Sequence, residues 1–167
     1  LEFRRVLFRS SRATVASSLR TSGLAHGGAP FSFRDSLGHR FVYAAIVPRA
    51  RGLVLGVNMN PDQHCNFDCV YCSVNRAAAT HEARLNPREL ARELEAALEL
   101  VHSNRLRERP AYRGAPPELL ELRHVELSGD GEPTLCPNFI DAIEAIIHVR
   151  ARNRFPFFKL EIGRAHV

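Results

Sequence analysis

Residues 53–59 read LVLGVNM, an almost continuously apolar run that stops at the turn-forming residues Asn60, Pro61 and Asp62. A short run that is apolar on both faces is typical of a buried strand in a parallel sheet. The residues that follow, 64–72, read HCNFDCVYC and contain three of the four cysteines of the chain. Because α/β folds place ligands in the loops after the carboxyl ends of parallel strands, we expect this strand to present the cysteine loop, residues 64–72.

The clearest helix signal lies downstream of the cysteine loop. Asn86 is a good N-cap, Pro87 suits the first helical position, and Glu89 is placed to complete a capping box. The helix should end near Asn104, and residues 105–117 should form a charged loop. The apolar positions of the helix recur at helical spacing and should pack on the sheet. They are Leu90, Leu94, Ala97, Leu98 and Val101.

Other apolar segments complete an alternating order of strands and helices. Residues 41–47 and 122–127 read as strands, 138–150 as an amphipathic helix, and 155–160 as the start of another strand. The order is strand, cysteine loop, helix, strand, a glycine-containing loop at residues 128–135 (the glycine loop), helix, strand. It predicts the α/β class, as in the opening of a parallel α/β barrel or of a doubly wound sheet. The two loops should therefore emerge on one edge of the sheet.

The cysteines of the loop follow a C-x3-C-x2-C pattern, at Cys65, Cys69 and Cys72. This spacing is too tight for two disulfides, and it suits three thiolates that converge on one compact inorganic centre. Soft thiolates select iron–sulfur clusters, zinc or copper(I). A four-iron cluster usually takes four cysteines, so a local set of three would leave one iron able to bind a small molecule.

Two simpler interpretations of the cysteines stay open. A structural zinc site could use the three cysteines with His64 or Cys136 as the fourth ligand. Cys69 and Cys72 alone could form a redox dithiol. For Cys136 itself, the alternatives are a fourth ligand, a substrate-facing thiol or a buried small apolar residue, and we expect burial.

A second motif follows the strand at 122–127. Residues 128–135 read SGDGEPTL. Gly129 and Gly131 would let the backbone approach a ligand closely and take positive φ angles. Glu132 supplies a negative charge near the strand end, and Pro133 follows it. The simpler interpretation is a glycine turn that caps the next helix, but its place one βα unit after the cysteines favours a binding loop.

Together these motifs resemble the radical S-adenosylmethionine (radical SAM) superfamily. The family signature is this cysteine spacing with an aromatic residue, here Tyr71, before the last cysteine. The glycine loop resembles the Gly-Gly-Glu-Pro loop of that family, with Asp130 inserted between the glycines. The sequence at 56–61, GVNMNP, together with the cysteine loop, is similar to the group related to wyosine-base synthesis on tRNA. The resemblance covers roughly residues 41–160.

The resemblance implies a cofactor, a fold and a reaction. Cys65, Cys69 and Cys72 would bind a [4Fe-4S] cluster whose open iron chelates S-adenosylmethionine (SAM). Reductive cleavage of SAM would give a 5′-deoxyadenosyl radical that abstracts hydrogen from a substrate. The backbone near Tyr71 would contact adenine, and residues 129–133 would hold the methionyl end of SAM. An external flavodoxin- or ferredoxin-like electron donor is implied, the substrate is open, and tRNA is possible. The alternative is a non-catalytic zinc- or Fe-S-binding module.

Both ends of the chain look foreign to a protein sequence. Residues 5–10 and 161–166 can be encoded by one DNA segment read on opposite strands, and both ends, 1–10 and 161–167, resemble a translated sequencing adapter. We predict that they are adapter-derived scars. Residues 11–40 then form a flexible lead-in, and 41–160 the N-terminal half of a radical SAM domain. The fold would be a partial (β/α) barrel truncated after about three strands, and this chain itself could be inactive.

The composition of the chain limits the classes of partner that it is expected to bind. Hydrophobic residues make up 45% of the 167 residues and charged residues 25%, which is ordinary for a globular domain. The net charge is +5, of which residues 1–10 supply +2, so the body carries a weak basic bias that permits a nucleic-acid partner without arguing for one. No apolar run approaches a membrane span, and clustered cysteines suit a reducing compartment, so we predict a cytoplasmic protein without a membrane partner.

Overall fold

A computed structural model describes residues 34–70, 72, 74–75, 84–152 and 154–163 of the chain. Three predicted features lie outside these residues: Tyr71, the N-terminal segment assigned to a scar, and the lead-in up to residue 33. The same holds for residues 164–167.

The centre of the fold is a four-stranded mixed sheet in the order β1-β2-β3-β4. β1 pairs antiparallel with β2, and β2, β3 and β4 are parallel to one another. The strands are β1 Val42–Val47, β2 Gly52–Asn58, β3 Leu122–Ser128 and β4 Lys159–Ile162. The predicted α/β class is therefore confirmed, and the three parallel strands match the predicted number. The strand at 41–47 was predicted and is confirmed as β1, but its antiparallel pairing was not predicted.

Two α-helices connect the parallel strands. α1 spans Pro87–His102 between β2 and β3, and α2 spans Phe139–Ala151 between β3 and β4. The predicted start of α1 is confirmed, because the Asn86 side chain accepts hydrogen bonds from the backbone N–H groups of Arg88 and Glu89. Neither helix is long and apolar enough to cross a membrane, nor is any other helix in the described part of the chain.

The helices contact each other and share one hydrophobic core with the sheet. Leu53, Leu55 and Val57 of β2 are fully buried, as expected for a strand covered by its neighbours. Four of the five predicted apolar positions of α1 are also fully buried, and Val101 is partly buried. The apolar run at residues 53–59 therefore forms most of β2, an interior strand of the sheet.

The loop predicted at 105–117 differs from expectation. It contains a 3-10 helix at Arg105–Glu108, and a second one, Pro117–Leu120, begins at its end. Leu106 and Tyr112 from this segment are 2% and 1% exposed, so these two side chains anchor it in the core, while most of its other residues are exposed. These two buried positions were not recognised from the sequence because charged residues surround them in the chain.

The chain ends also differ from expectation. Residues 34–40, assigned to the lead-in, pack on the sheet: Asp35 forms a bridge with Ala44 of β1 and an ion pair with Arg109 at 3.0 Å. The last strand was predicted to start at residue 155, but β4 starts at Lys159. It includes Glu161 and Ile162, which the sequence assigned to the C-terminal scar, and their origin stays a prediction.

Candidate functional site

The two motif loops lie side by side at the carboxyl edge of the parallel strands. The backbone N–H of Glu132 donates to the carbonyl oxygen of His64 at 3.1 Å. Gly131 lies so close to the cysteine loop that a Cβ atom at this position would overlap the same carbonyl oxygen and come within 2.6 Å of the Asn60 Cβ. The predicted meeting of the two loops on one edge is therefore confirmed.

The glycines serve contacts between protein segments. Gly129 has φ +153°, and a Cβ atom there would overlap the side chain of Asn58. Gly131 does not take a positive φ, in contrast to the prediction, and its small size is required by the backbone of the cysteine loop. The space beside both glycines is thus filled by Asn58 and by the cysteine loop. These contacts alone require glycine at both positions, and the close approach of a ligand stays a prediction.

The three cysteines of the loop are partly buried thiols. Cys65 Sγ lies 3.9 Å from the carbonyl oxygen of Phe67, and the backbone N–H of Cys72 donates to the carbonyl of Cys69 at 2.9 Å, which closes a tight turn. None of the four cysteines, all of which are described, forms a disulfide. This state leaves the thiols available as soft ligands.

The donor set fits an iron–sulfur cluster or zinc by its chemistry, because it offers three reduced thiols within eight residues. Among the described residues, however, no three His, Cys, Asp or Glu side chains are grouped so that they could hold a metal ion. The loop would therefore have to draw Cys65, Cys69 and Cys72 together on binding, as metal sites that fold with their metal do.

Glu132 and Pro133 begin a short 3-10 helix, Pro133–Leu135. The Glu132 Oε1 atom accepts hydrogen bonds from the backbone N–H of Thr134 at 3.3 Å and from its hydroxyl at 2.7 Å. The carboxylate thus caps this turn and keeps a fixed position next to the cysteine loop. A positively charged group brought to this edge would meet a carboxylate that is already oriented.

Cys136 is 5% exposed, which confirms the prediction that it is a buried apolar residue. Burial raises the pKa of its thiol above the ordinary value of 9.0. A buried, protonated thiol is a poor metal ligand and a poor nucleophile. The fourth cysteine is therefore separate in character from the three of the cysteine loop.

Three residues that the sequence did not single out for the site contact the glycine loop. Asn58, at the end of β2, donates from Nδ2 to Asp130 Oδ2 at 2.7 Å and accepts at Oδ1 from the backbone N–H of Asp130 at 3.1 Å. Arg34 forms an ion pair with Asp130 at 3.0 Å and lies over the Tyr43 ring, 4.9 Å from its centroid. The Tyr43 hydroxyl is 2.7 Å from Ser128 Oγ. The sequence signal that could have identified Asn58 is its position as a polar residue at the end of an apolar strand, just before the cysteine motif.

A cleft of about 530 Å³ opens beside these residues. Asn58, Pro61, Gln63 and Asp130 line it together with residues 38–40. Its volume lies within the range of small-molecule sites. Its lining joins the glycine loop, the residues just before the cysteine loop and the segment before β1.

Comparison of the chain with protein-family models, with curated proteins and with solved structures finds no significant match.

Proposed function

We propose that this chain is part of a radical SAM enzyme, with Cys65, Cys69 and Cys72 as the ligands of a [4Fe-4S] cluster. The observation that carries the proposal is the hydrogen bond between Glu132 and His64. Two motifs that are about 60 residues apart in sequence, and that the family uses together, meet at one edge of a parallel sheet. Any two loops that follow neighbouring parallel strands share such an edge, so the support lies in the motifs that these two loops carry and in the direct hydrogen bond between them.

Each part of the edge has a role in this proposal. The three thiolates hold the cluster, which when bound would supply one electron to split SAM into methionine and a 5′-deoxyadenosyl radical. Residues 129–133 receive the methionyl end, and the Glu132 carboxylate, fixed by Thr134, attracts its ammonium group. Cys136 stays outside this set because it is buried and its thiol pKa is raised.

Further support comes from the sheet and from the cleft. Three parallel strands joined by two helices are compatible with the first part of a (β/α) barrel, the architecture we propose for the complete domain. The cleft beside Asn58 and Asp130 is large enough for a small molecule at this edge. An external electron donor and a hydrogen-bearing substrate complete the reaction, and clustered thiolate ligands suit a reducing compartment.

The first test is the metal content after anaerobic purification and reconstitution, with Cys72→Ala as the comparison. About four irons and four sulfides per chain, lost in the variant, would support the cluster. One zinc without sulfide would overturn the enzyme proposal in favour of a structural metal module. Cys136→Ala is the matched control, because it removes a cysteine that the proposal leaves out.

The second test is the response of the reduced cluster to SAM. SAM should change the electron paramagnetic resonance spectrum of the reconstituted chain. Glu132→Ala should weaken SAM binding and leave the iron content unchanged, whereas Glu118→Ala, at an exposed carboxylate of a different 3-10 helix, should do neither. If the cluster forms fully but its electron paramagnetic resonance spectrum does not change when SAM is added, the proposal is contradicted.

A further inference from the structure

The Asn58 carboxamide connects three segments at the carboxyl edge of the sheet. Its Oδ1 atom accepts from the backbone N–H of Asp130 at 3.1 Å and from that of Asn60 at 3.3 Å. Its Nδ2 atom donates to the Asp130 carboxylate at 2.7 Å. The side chain therefore joins the end of β2, the approach to the cysteine loop and the glycine loop.

Asp130 completes this arrangement from the other side. One carboxylate oxygen accepts from Asn58 and the other from Arg34 at 3.0 Å, and Arg34 also reaches the Gly129 carbonyl oxygen at 3.4 Å. Charge-assisted hydrogen bonds of this kind are stronger than neutral ones. Asp130 is the residue inserted between the two glycines, so these bonds act on the middle of the glycine loop.

We propose that Asn58 and Asp130 form a positioning pair that holds the glycine loop against the cysteine loop and so fixes where the glycine loop binds SAM. The inference rests on the proposed function for its ligand and on geometry for the pair itself. The reciprocal bonds between Asn58 and Asp130 are one anchor, and the bond from Glu132 to His64 is a second, two residues along the glycine loop. Two anchors on a segment this short leave it little freedom to rotate.

The fit around Gly129 supports the pair. A Cβ atom at residue 129 would overlap Asn58 Oδ1 and lie 2.7 Å from Asn58 Cγ. The glycine is thus required by the position of the Asn58 side chain, which must stand there to reach the Asp130 backbone. The pair and the glycine belong to one arrangement.

The pair can be tested by exchanging its two side-chain types. In Asn58→Asp, two carboxylates face each other across the 2.7 Å contact and should repel. In the double variant Asn58→Asp/Asp130→Asn, the amide and the carboxylate have changed places, so both bonds can form again. Asp130→Asn alone keeps an acceptor oxygen opposite Asn58 and should have the smaller effect. Asn104→Asp, at an exposed position away from the edge, is the control for the same chemical change.

The first readout is hydrogen exchange of backbone amides in the metal-free chain. Exchange at residues 129–132 should rise by about tenfold in Asn58→Asp, the equivalent of one charge-assisted bond, and return to within about threefold in the double variant. The control should match the original chain. If amide exchange at residues 129–132 is unchanged in Asn58→Asp, or does not recover in the double variant, the proposal that Asn58 and Asp130 position the glycine loop is wrong.

The second readout is the affinity of the reconstituted chain for SAM. It should fall by about tenfold in Asn58→Asp and recover in the double variant, with equal iron content throughout. Altered exchange with unaltered affinity would overturn the positioning role. The original chain could fail to bind SAM while amide exchange in the variants changes as expected. In that case the proposed function is wrong, but the structural coupling of the two loops is supported.

Discussion

The carbonyl oxygen of His64 occupies the place that a side chain at Gly131 would need. The same oxygen accepts the hydrogen bond from the Glu132 backbone at 3.1 Å. One backbone atom of the cysteine loop thus sets both the size limit and the hydrogen-bond register of the glycine loop. The contact between these loops is specific, and it can be broken by adding one methyl group.

Gly131→Ala should separate the two loops. The new Cβ would meet backbone atoms, which cannot rotate away as a flexible side chain can, so we expect a loss of about 1–3 kcal/mol in the free energy of unfolding. Exchange of the Glu132 amide should become faster because its acceptor moves away. Urea unfolding and amide exchange measure the two effects. Gly114→Ala is the control: its φ is +85° with open space around it, so it should cost about 1 kcal/mol through backbone strain and leave Glu132 exchange unchanged.

The four cysteines should react differently with iodoacetamide. Cys136 is buried and burial raises its thiol pKa, so its alkylation in the folded chain should be at least about tenfold slower than that of Cys65, which is partly exposed. Mass spectrometry of the modified peptides measures the rates. In urea the rates at Cys136 and Cys65 should converge. Equal rates in the folded chain would contradict the separation of Cys136 from the cysteine loop.

Local sequence patterns predicted most of the fold. Asn86 and Pro87 located the start of α1, and the apolar run at 53–59 located β2, because capping and burial on both faces are short-range properties. The edge strand at 41–47 was also predicted, but its antiparallel pairing was missed, although the four-residue connection at 48–51 is short enough for a hairpin. The direction of pairing depends on which edge of β2 is open, and no local pattern reports that.

The site was predicted in its parts but not in its connections. The cysteines, the glycine loop and their common edge follow from motif order along the chain. The contacts of Arg34 with Asp130 and of Asn58 with Asp130 join residues 96 and 72 positions apart, and no local pattern reports such pairs. For the same reason, spacing alone led us to expect thiolates that converge, whereas the described residues show a loop whose ligands are not grouped. Spacing states which groups are near in sequence, and in the proposed cluster site the energy of metal binding would have to gather them.

Glu93 should be one of the most sensitive polar positions of the fold. It is 8% exposed, and its carboxylate accepts hydrogen bonds from the backbone N–H groups of Arg40, Phe41 and Val42 at 2.8–3.1 Å. Glu93→Gln turns one acceptor into a donor that faces other donors, so we expect a loss of about 2–3 kcal/mol in the free energy of unfolding. Glu99→Gln on the exposed side of α1 should change it little, and equal losses in the two variants would contradict this role.

The stability of the fold should fall as the pH is lowered below the ordinary His pKa. Burial lowers the pKa of His39 from 6.5, Arg109 acts in the same direction, and Glu93 and Asp35 oppose it. Its Nδ1 atom is buried and makes no hydrogen bond among the described residues, which also disfavours a charged ring. Between pH 6.5 and the lowered pKa, the unfolded chain therefore binds more protons than the folded chain, so the free energy of unfolding decreases as the pH falls through this window.

His39→Gln should remove part of this loss when urea unfolding is compared at about pH 7.5 and about pH 5, where histidine changes charge. His102→Gln is the matched comparison, because burial also lowers the pKa of His102, which stacks on Phe155 with ring centroids 5.6 Å apart. Each variant should flatten the profile, and the double variant should flatten it further, since the two rings lie in separate parts of the structure. A His39→Gln profile as steep as that of the original chain would show that this imidazole is not excluded from protonation in the folded state.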